Sequence, residues 1–142
     1  MIHGDTSALV TWMTRRGHRT ALDAFRRQRA TEPLATGTLG FVETVRTPDL
    51  MGHFPMAGEG LDARTTEILL TREARGGAAL LVGRPGAPDA IHGAGARSLR
   101  DDPTAAVTYD RRTPETARAE GPPARAPGTA DRSEPSRRTR RL

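Results

Sequence analysis

From Arg111 to Arg141 the chain contains no Leu, Ile, Val, Met, Phe, Tyr or Trp. Such a stretch buries little beyond Ala and Pro, so any core must be built by the residues ahead of it. It carries nine Arg against four acids, whereas residues 1–110 carry 13 Arg against 13 acids. All of the net charge of +5 therefore belongs to the C-terminal stretch, behind a neutral domain. Leu, Ile, Val and Phe make up 23 of 142 residues, below the roughly 20% at which composition begins to favour disorder. That length supports one ordinary domain.

Several classes of chemistry are closed from the outset. Without cysteine there is no disulfide framework, zinc–thiolate site or thiol nucleophile. Every basic residue besides histidine is Arg, so a phosphate-binding loop that requires Lys cannot be built. Apolar runs are only a few residues long, which rules out a membrane-spanning helix, and a cytoplasmic location is expected. His3, His18, His53 and His92 are too scattered for a zinc site, and His92 is expected to be structural. Ser7 lacks a Gly-x-Ser-x-Gly elbow, which leaves little for a hydrolase triad. The terminal SRRTRRL run is either an RNA contact or a solvated tail.

Along the chain, short strands alternate with helices. A strand over residues 1–5 leads to a helix from about Ser7, with a Ser or Thr as its cap. Thr20–Arg29 sets Ala21, Leu22, Ala24 and Phe25 against arginines, the pattern of an amphipathic helix. A strand at residues 33–36 precedes a helix capped by Thr38, which Pro48 stops. Residues 47–60 hold three Gly and two Pro and are expected to be irregular, with at most a helical turn. A strand at 67–71, helices over 73–82 and from Pro88 to Leu99, and a strand at 105–109 follow. Residues 111–120 permit a further helix. This alternation predicts an α/β domain with a parallel sheet.

In such a sheet ligands bind beyond the carboxyl ends of the strands. Asp5 and Asp110 fall at predicted strand ends, Asp89 in the first turn of a helix, and Glu43 within an apolar helix segment, where a carboxylate needs a partner. Taken singly, Asp5 is a helix cap, Asp89 a dipole partner, Asp110 a turn residue and Glu43 a partner for an Arg. Brought together, the four would repel unless protonated or neutralised by a hard divalent cation such as Mg²⁺ or Mn²⁺.

Four blocks carry a family resemblance. MIHGDTSALV (1–10), TLGFVETVR (38–46), PDAIH (88–92) and VTYDRR (107–112) resemble, in order and rough spacing, segments of PIN-domain ribonucleases, especially the VapC-like toxin of VapBC toxin–antitoxin systems. The resemblance spans residues 1–128. It implies a PIN-like three-layer α/β/α fold with a short, mostly parallel sheet of four to five strands; the composition beyond it predicts a disordered Arg-rich tail over 129–142. The resemblance also implies a Mg²⁺- or Mn²⁺-dependent endoribonuclease with Asp5, Glu43, Asp89 and Asp110 as the catalytic and metal-binding acids. Thr6, Ser7 and Thr108 would orient waters or carboxylates, and Arg111 and Arg112 would contact RNA. A cognate antitoxin, an RNA substrate and a homodimer are the partners implied.

The sequence departs from that family at Gly4, Gly93, Gly95 and Pro114, near Ala124, and over residues 47–66. These departures sustain one alternative, a decayed, noncatalytic PIN-like protein that only binds a partner; the low apolar content sustains another, a largely disordered basic RNA-binding polypeptide.

Overall fold

Five short strands, rich in small and β-branched residues, pair into a single parallel sheet. The computed structural model describes residues 1–53, 55–81, 86–98, 105–110 and 123–129. In it β1 (Ile2–Gly4), β2 (Leu34–Gly37), β3 (Thr66–Ile68), β4 (Ala105–Val107) and β5 (Ala124–Arg125) lie in the order β3-β2-β1-β4-β5. Ile2 stands opposite Leu34 on one side and Ala105 on the other, and Gly4 stands opposite Val107. The central β1 is buried along its length, while the edge strand β3 has Thr66 and Glu67 exposed.

Between the strands run α1 (Thr6–Thr14), α2 (Arg19–Arg27), α3 (Thr38–Val45), α4 (Met56–Asp62), α5 (Arg72–Ala79) and α6 (Ala87–Ser98). The chain steps outward from β1 to β2 to β3, then returns to the far side of β1 for β4. Right-handed crossovers place the helices of the outward steps on one face and those of the return on the other, which makes the layers helix, sheet, helix. The direction reverses between β1 and β4, so the crevice beyond their carboxyl ends is the topological switch point.

The core is small but continuous. Ile2, Leu9, Trp12, Leu22, Leu34, Leu61 and Val107 are buried together, with Phe25, Phe41, Val45 and Tyr109 packed at the margin. Burying each large side chain contributes about 1.5–3 kcal/mol. This core removes the reading of the chain as largely disordered for the residues described.

Four local expectations are corrected. The N-cap of α3 is Gly37, with no side-chain cap, and Thr38 is already its first helical residue. The cap of α1 is Asp5, whose carboxylate accepts the Ala8 N–H, rather than a Ser or Thr. Residues 47–60 are not merely irregular: after a 3-10 turn at Met51–His53, α4 buries Ala57, Gly58 and Leu61. Its glycines each cost about 1 kcal/mol in a helix, and the fully buried Leu61 offsets that loss. The third strand covers Thr66–Ile68, leaving Leu69 and Leu70 exposed beyond its end. The helix expected over 111–120 and the tail from Ala130 onward lie outside the described residues; Thr129 closes a turn on Ala126. Among the described residues no helix is long and apolar enough to cross a membrane.

Candidate functional site

β1 ends at Gly4 and α1 begins at Thr6, so Asp5 occupies the strand-to-helix corner. Its Oδ1 accepts the Ala8 N–H at 3.0 Å and the Ser7 hydroxyl at 2.6 Å. Its own N–H donates to Val107 O at 3.1 Å, which ties the corner to the neighbouring strand. Just past β4, Tyr109 N–H donates to Ser7 Oγ at 2.7 Å, and Asp110 N–H donates to the buried Thr108 Oγ1 at 3.2 Å. One hydroxyl, that of Ser7, therefore links the Asp5 carboxylate to the backbone carrying Asp110. The two aspartates lie at adjoining strand ends, on the two sides of the switch point.

The third acid arrives from α3. Glu43 Oε2 accepts the Thr6 hydroxyl and lies 3.0 Å from His92 Nε2 of α6. A side chain beside Asp5, one on α3 and one on α6 thus meet at a single carboxylate oxygen. The expectation that Glu43 pairs with an Arg does not hold; its partners are Thr6 and His92. His92, expected to be structural, contacts Glu43 in that capacity. Its position three residues after Asp89, hence on the same helix face, was the available signal.

Gly40 makes this meeting possible. A Cβ there would collide with Thr36 Oγ1 and stand 3.1 Å from His92 Cε1. Behind His92 lies the buried His3, their rings edge to face at 6.4 Å. Burial, reinforced by the nearness of His92, pulls the His3 pKa down to about 4, so its ring is neutral at pH 7. His3 Nε2, Thr36 Oγ1 and His92 Nδ1 are buried without hydrogen-bond partners. A cavity of about 10 Å³ bordered by His3, Leu39, Ile68 and His92 has room for about one water.

Asp89 sits half-exposed in the first turn of α6. No hydrogen bond joins it to the other acids among the described residues. Nor do three His, Asp or Glu side chains among those residues converge closely enough to hold a metal. The donor chemistry nevertheless suits Mg²⁺, which takes one or two carboxylates, substrate phosphate and several waters rather than a complete protein cage. Asp5 and Asp110 are the two carboxylates that follow the paired strands β1 and β4. Arg111 and Arg112 lie outside the described residues.

Tyr109, whose N–H meets Ser7, packs beside the same corner. Its ring stacks on His18 with centroids 5.2 Å apart, and its hydroxyl donates to Pro127 O at 3.0 Å. Burial, and secondarily the negative charge of Asp5, push its pKa up to about 12.

No family model matches the sequence, and no curated protein matches it by sequence. Among solved structures, the crystal structure of VapC20 from Mycobacterium tuberculosis, a toxin that cleaves the sarcin-ricin loop, is similar with a TM-score of 0.57 and 16% identity. The match covers 80% of this chain and 92% of that one. At this identity the likeness is one of fold: the chain has the PIN-like α/β architecture of that toxin.

Proposed function

We propose, with the PIN-like fold as premise, that this chain is a metal-dependent endoribonuclease, the toxin component of a toxin–antitoxin pair. The observation that supports the proposal is that β1 and β4, which lead to Asp5 and Asp110, pair side by side at the switch point, with Glu43 bonded to Thr6 next to Asp5. In this reading Asp5 and Asp110 hold Mg²⁺ or Mn²⁺, Glu43 acts through water, and Asp89 completes the acidic rim from α6. The bound cation supplies the positive charge that polarises a phosphate oxygen and makes a coordinated water acidic.

The chain's own residues set the geometry. Ser7 and the Ala8 N–H hold the Asp5 carboxylate, Thr6 and His92 hold Glu43, and Thr108 braces the backbone at Asp110. Arg111 and Arg112, next along the chain, would take substrate phosphates. A cognate antitoxin, a homodimer and a cytoplasmic setting belong to the same proposal.

The test is cleavage of an RNA hairpin bearing a sarcin-ricin loop, with Mg²⁺, with Mn²⁺ and with chelator. Cleavage is expected only with the cation, and is expected to vanish in Asp5→Asn and Asp110→Asn. Cleavage that persists under chelation, or in both variants, overturns the proposal. A second reading, a noncatalytic relative that only binds a partner, is favoured by the absence of three converging ligands among the described residues. It predicts a folded protein that captures an antitoxin and cleaves no RNA.

A further inference from the structure

Within residues 1–110 the charges balance but are not evenly spread. Residues 15–29 hold six arginines, Arg15, Arg16, Arg19, Arg26, Arg27 and Arg29, against the single acid Asp23. That short segment is therefore +5, and the other residues up to 110 together are −5. Segregation of this kind sets up a dipolar field, with an acidic region that repels a polyanion and one basic surface that attracts it.

Three of the six arginines of this surface lie against aromatic rings, and two pair with acids. The Arg26 guanidinium lies 4.5 Å from the Trp12 ring centroid and that of Arg19 lies 5.6 Å from it, while Arg29 lies 4.0 Å from the Phe25 ring. Arg19 also pairs with Asp23 at 2.6 Å, and Arg16 with Asp49 at 3.0 Å. Among the described residues Arg15, Arg27 and Arg29 make no ion pair with a carboxylate, Arg26 shares the field of Asp23 with Arg19, and Arg15 and Arg27 are exposed. A guanidinium stacked on a ring keeps its N–H edge available for bidentate phosphate contacts. His18, which leads into α2, stacks on Tyr109, the neighbour of Asp110. The basic surface thus begins beside the acidic site.

We propose that the α1–α2 connection and α2 form the surface that binds the phosphate backbone of RNA and delivers it to the acidic crevice. This deepens the endoribonuclease proposal and rests on it for the identity of the polyanion. Recognition is of backbone charge, so it positions the strand without reading its bases. Arg15 and Arg27 supply mobile contacts, and Arg26 and Arg29 supply fixed ones.

The test measures binding of a single-stranded RNA across a salt series, with cleavage silenced by Asp5→Asn. The comparison is Arg15→Gln/Arg27→Gln in the same background. Both positions are exposed, so the fold is not at stake, and circular dichroism verifies that. Each lost phosphate contact lowers the slope of log K against log salt by about 0.7, so the double variant is expected to lose about 1.4 and to bind roughly 25-fold more weakly at 0.1 M salt. An unchanged slope and affinity overturn the proposal. So does poly-glutamate that binds with the same arginine dependence while RNA does not, since the surface then serves an acidic polypeptide. Cleavage is scored separately, in the chain with Asp5 restored: arginine-dependent binding without cleavage defeats only the nuclease reading, and cleavage unaffected by the arginine variants defeats only this one.

Discussion

Asp5 caps α1 and, under the proposed function, also holds the cation; a pair of substitutions separates the two roles. Its carboxylate caps α1 through the Ala8 N–H and accepts the Ser7 hydroxyl. It is also one of the two carboxylates assigned to the cation. Asp5→Ala removes both functions. Loss of an N-cap costs about 1 kcal/mol, with a range of roughly 0.5–2. In a domain of this size that lowers Tm by roughly 3–4 °C per kcal/mol. Asp5→Asn keeps an oxygen for the Ala8 N–H and Ser7, and Asn ranks with Asp as a cap, so its stability should stay within about 0.5 kcal/mol of the parent. The uncharged amide, however, is a much weaker ligand for a hard divalent cation than a carboxylate, because it brings no negative charge. Cleavage should fall by on the order of 10²–10³ in both variants, the scale seen when one preorganised electrostatic group is removed. Thermal unfolding followed by circular dichroism and a single-turnover cleavage assay read the two effects separately. An Asp5→Asn protein with full activity would reduce Asp5 to a cap. An Asp5→Asn protein as unstable as Asp5→Ala would show that the capping account is wrong.

Three further outcomes follow from the same contacts. Ser7→Ala strips the Tyr109 N–H of its acceptor and should cost about 1–3 kcal/mol in urea unfolding; a loss below about 0.5 kcal/mol would mean another acceptor replaces it. Tyr109 is the only tyrosine, so its ultraviolet titration is unambiguous. In the folded protein the midpoint should lie at about 12, and stability from this group, complete below the unfolded value of about 10, should be lost as pH rises from there through about 12. A native midpoint near 10 contradicts the burial account. On the acid side, His3 is held neutral with its pKa down at about 4, so between its unfolded value of about 6.5 and that point the unfolded chain binds the extra proton and stability falls as pH falls. His3→Leu should flatten that part of the stability profile, and an unchanged profile would show that His3 is not the group responsible.

Some features were legible because they are local. Short strands followed by helices, a break at Pro48 and acids at strand ends all follow from patterns a few residues long, and α1, α3 and α6 lie within a residue or two of their expected bounds. The helix α4 escaped notice because Gly58 and Gly60 dilute its apolar face, and only packing against the core, where Leu61 is fully buried, makes it favourable. The joining of Glu43 to Thr6 and His92 was hidden for a different reason. These residues are 37 and 49 positions apart in the chain, and their contact depends on Gly40 leaving space for the imidazole.

By itself the sequence determined that a neutral α/β domain precedes an apolar-free basic stretch, that thiol and Lys chemistry are absent, and that four acids stand in a nuclease-like order. Propensity, periodicity and charge count are properties of neighbouring residues, and they need no knowledge of where distant segments go. The tertiary structure alone decided which acids adjoin. Parallel pairing of β1 with β4 sets Asp5 beside the strand that leads to Asp110, and the crossing of α3 and α6 gives Glu43 a histidine partner instead of an arginine. It likewise decided that Arg19 and Arg26 lie against Trp12. Those contacts arise from strand order and close packing, in which each side chain's neighbours are chosen by the fold of the whole chain rather than by the residues beside it.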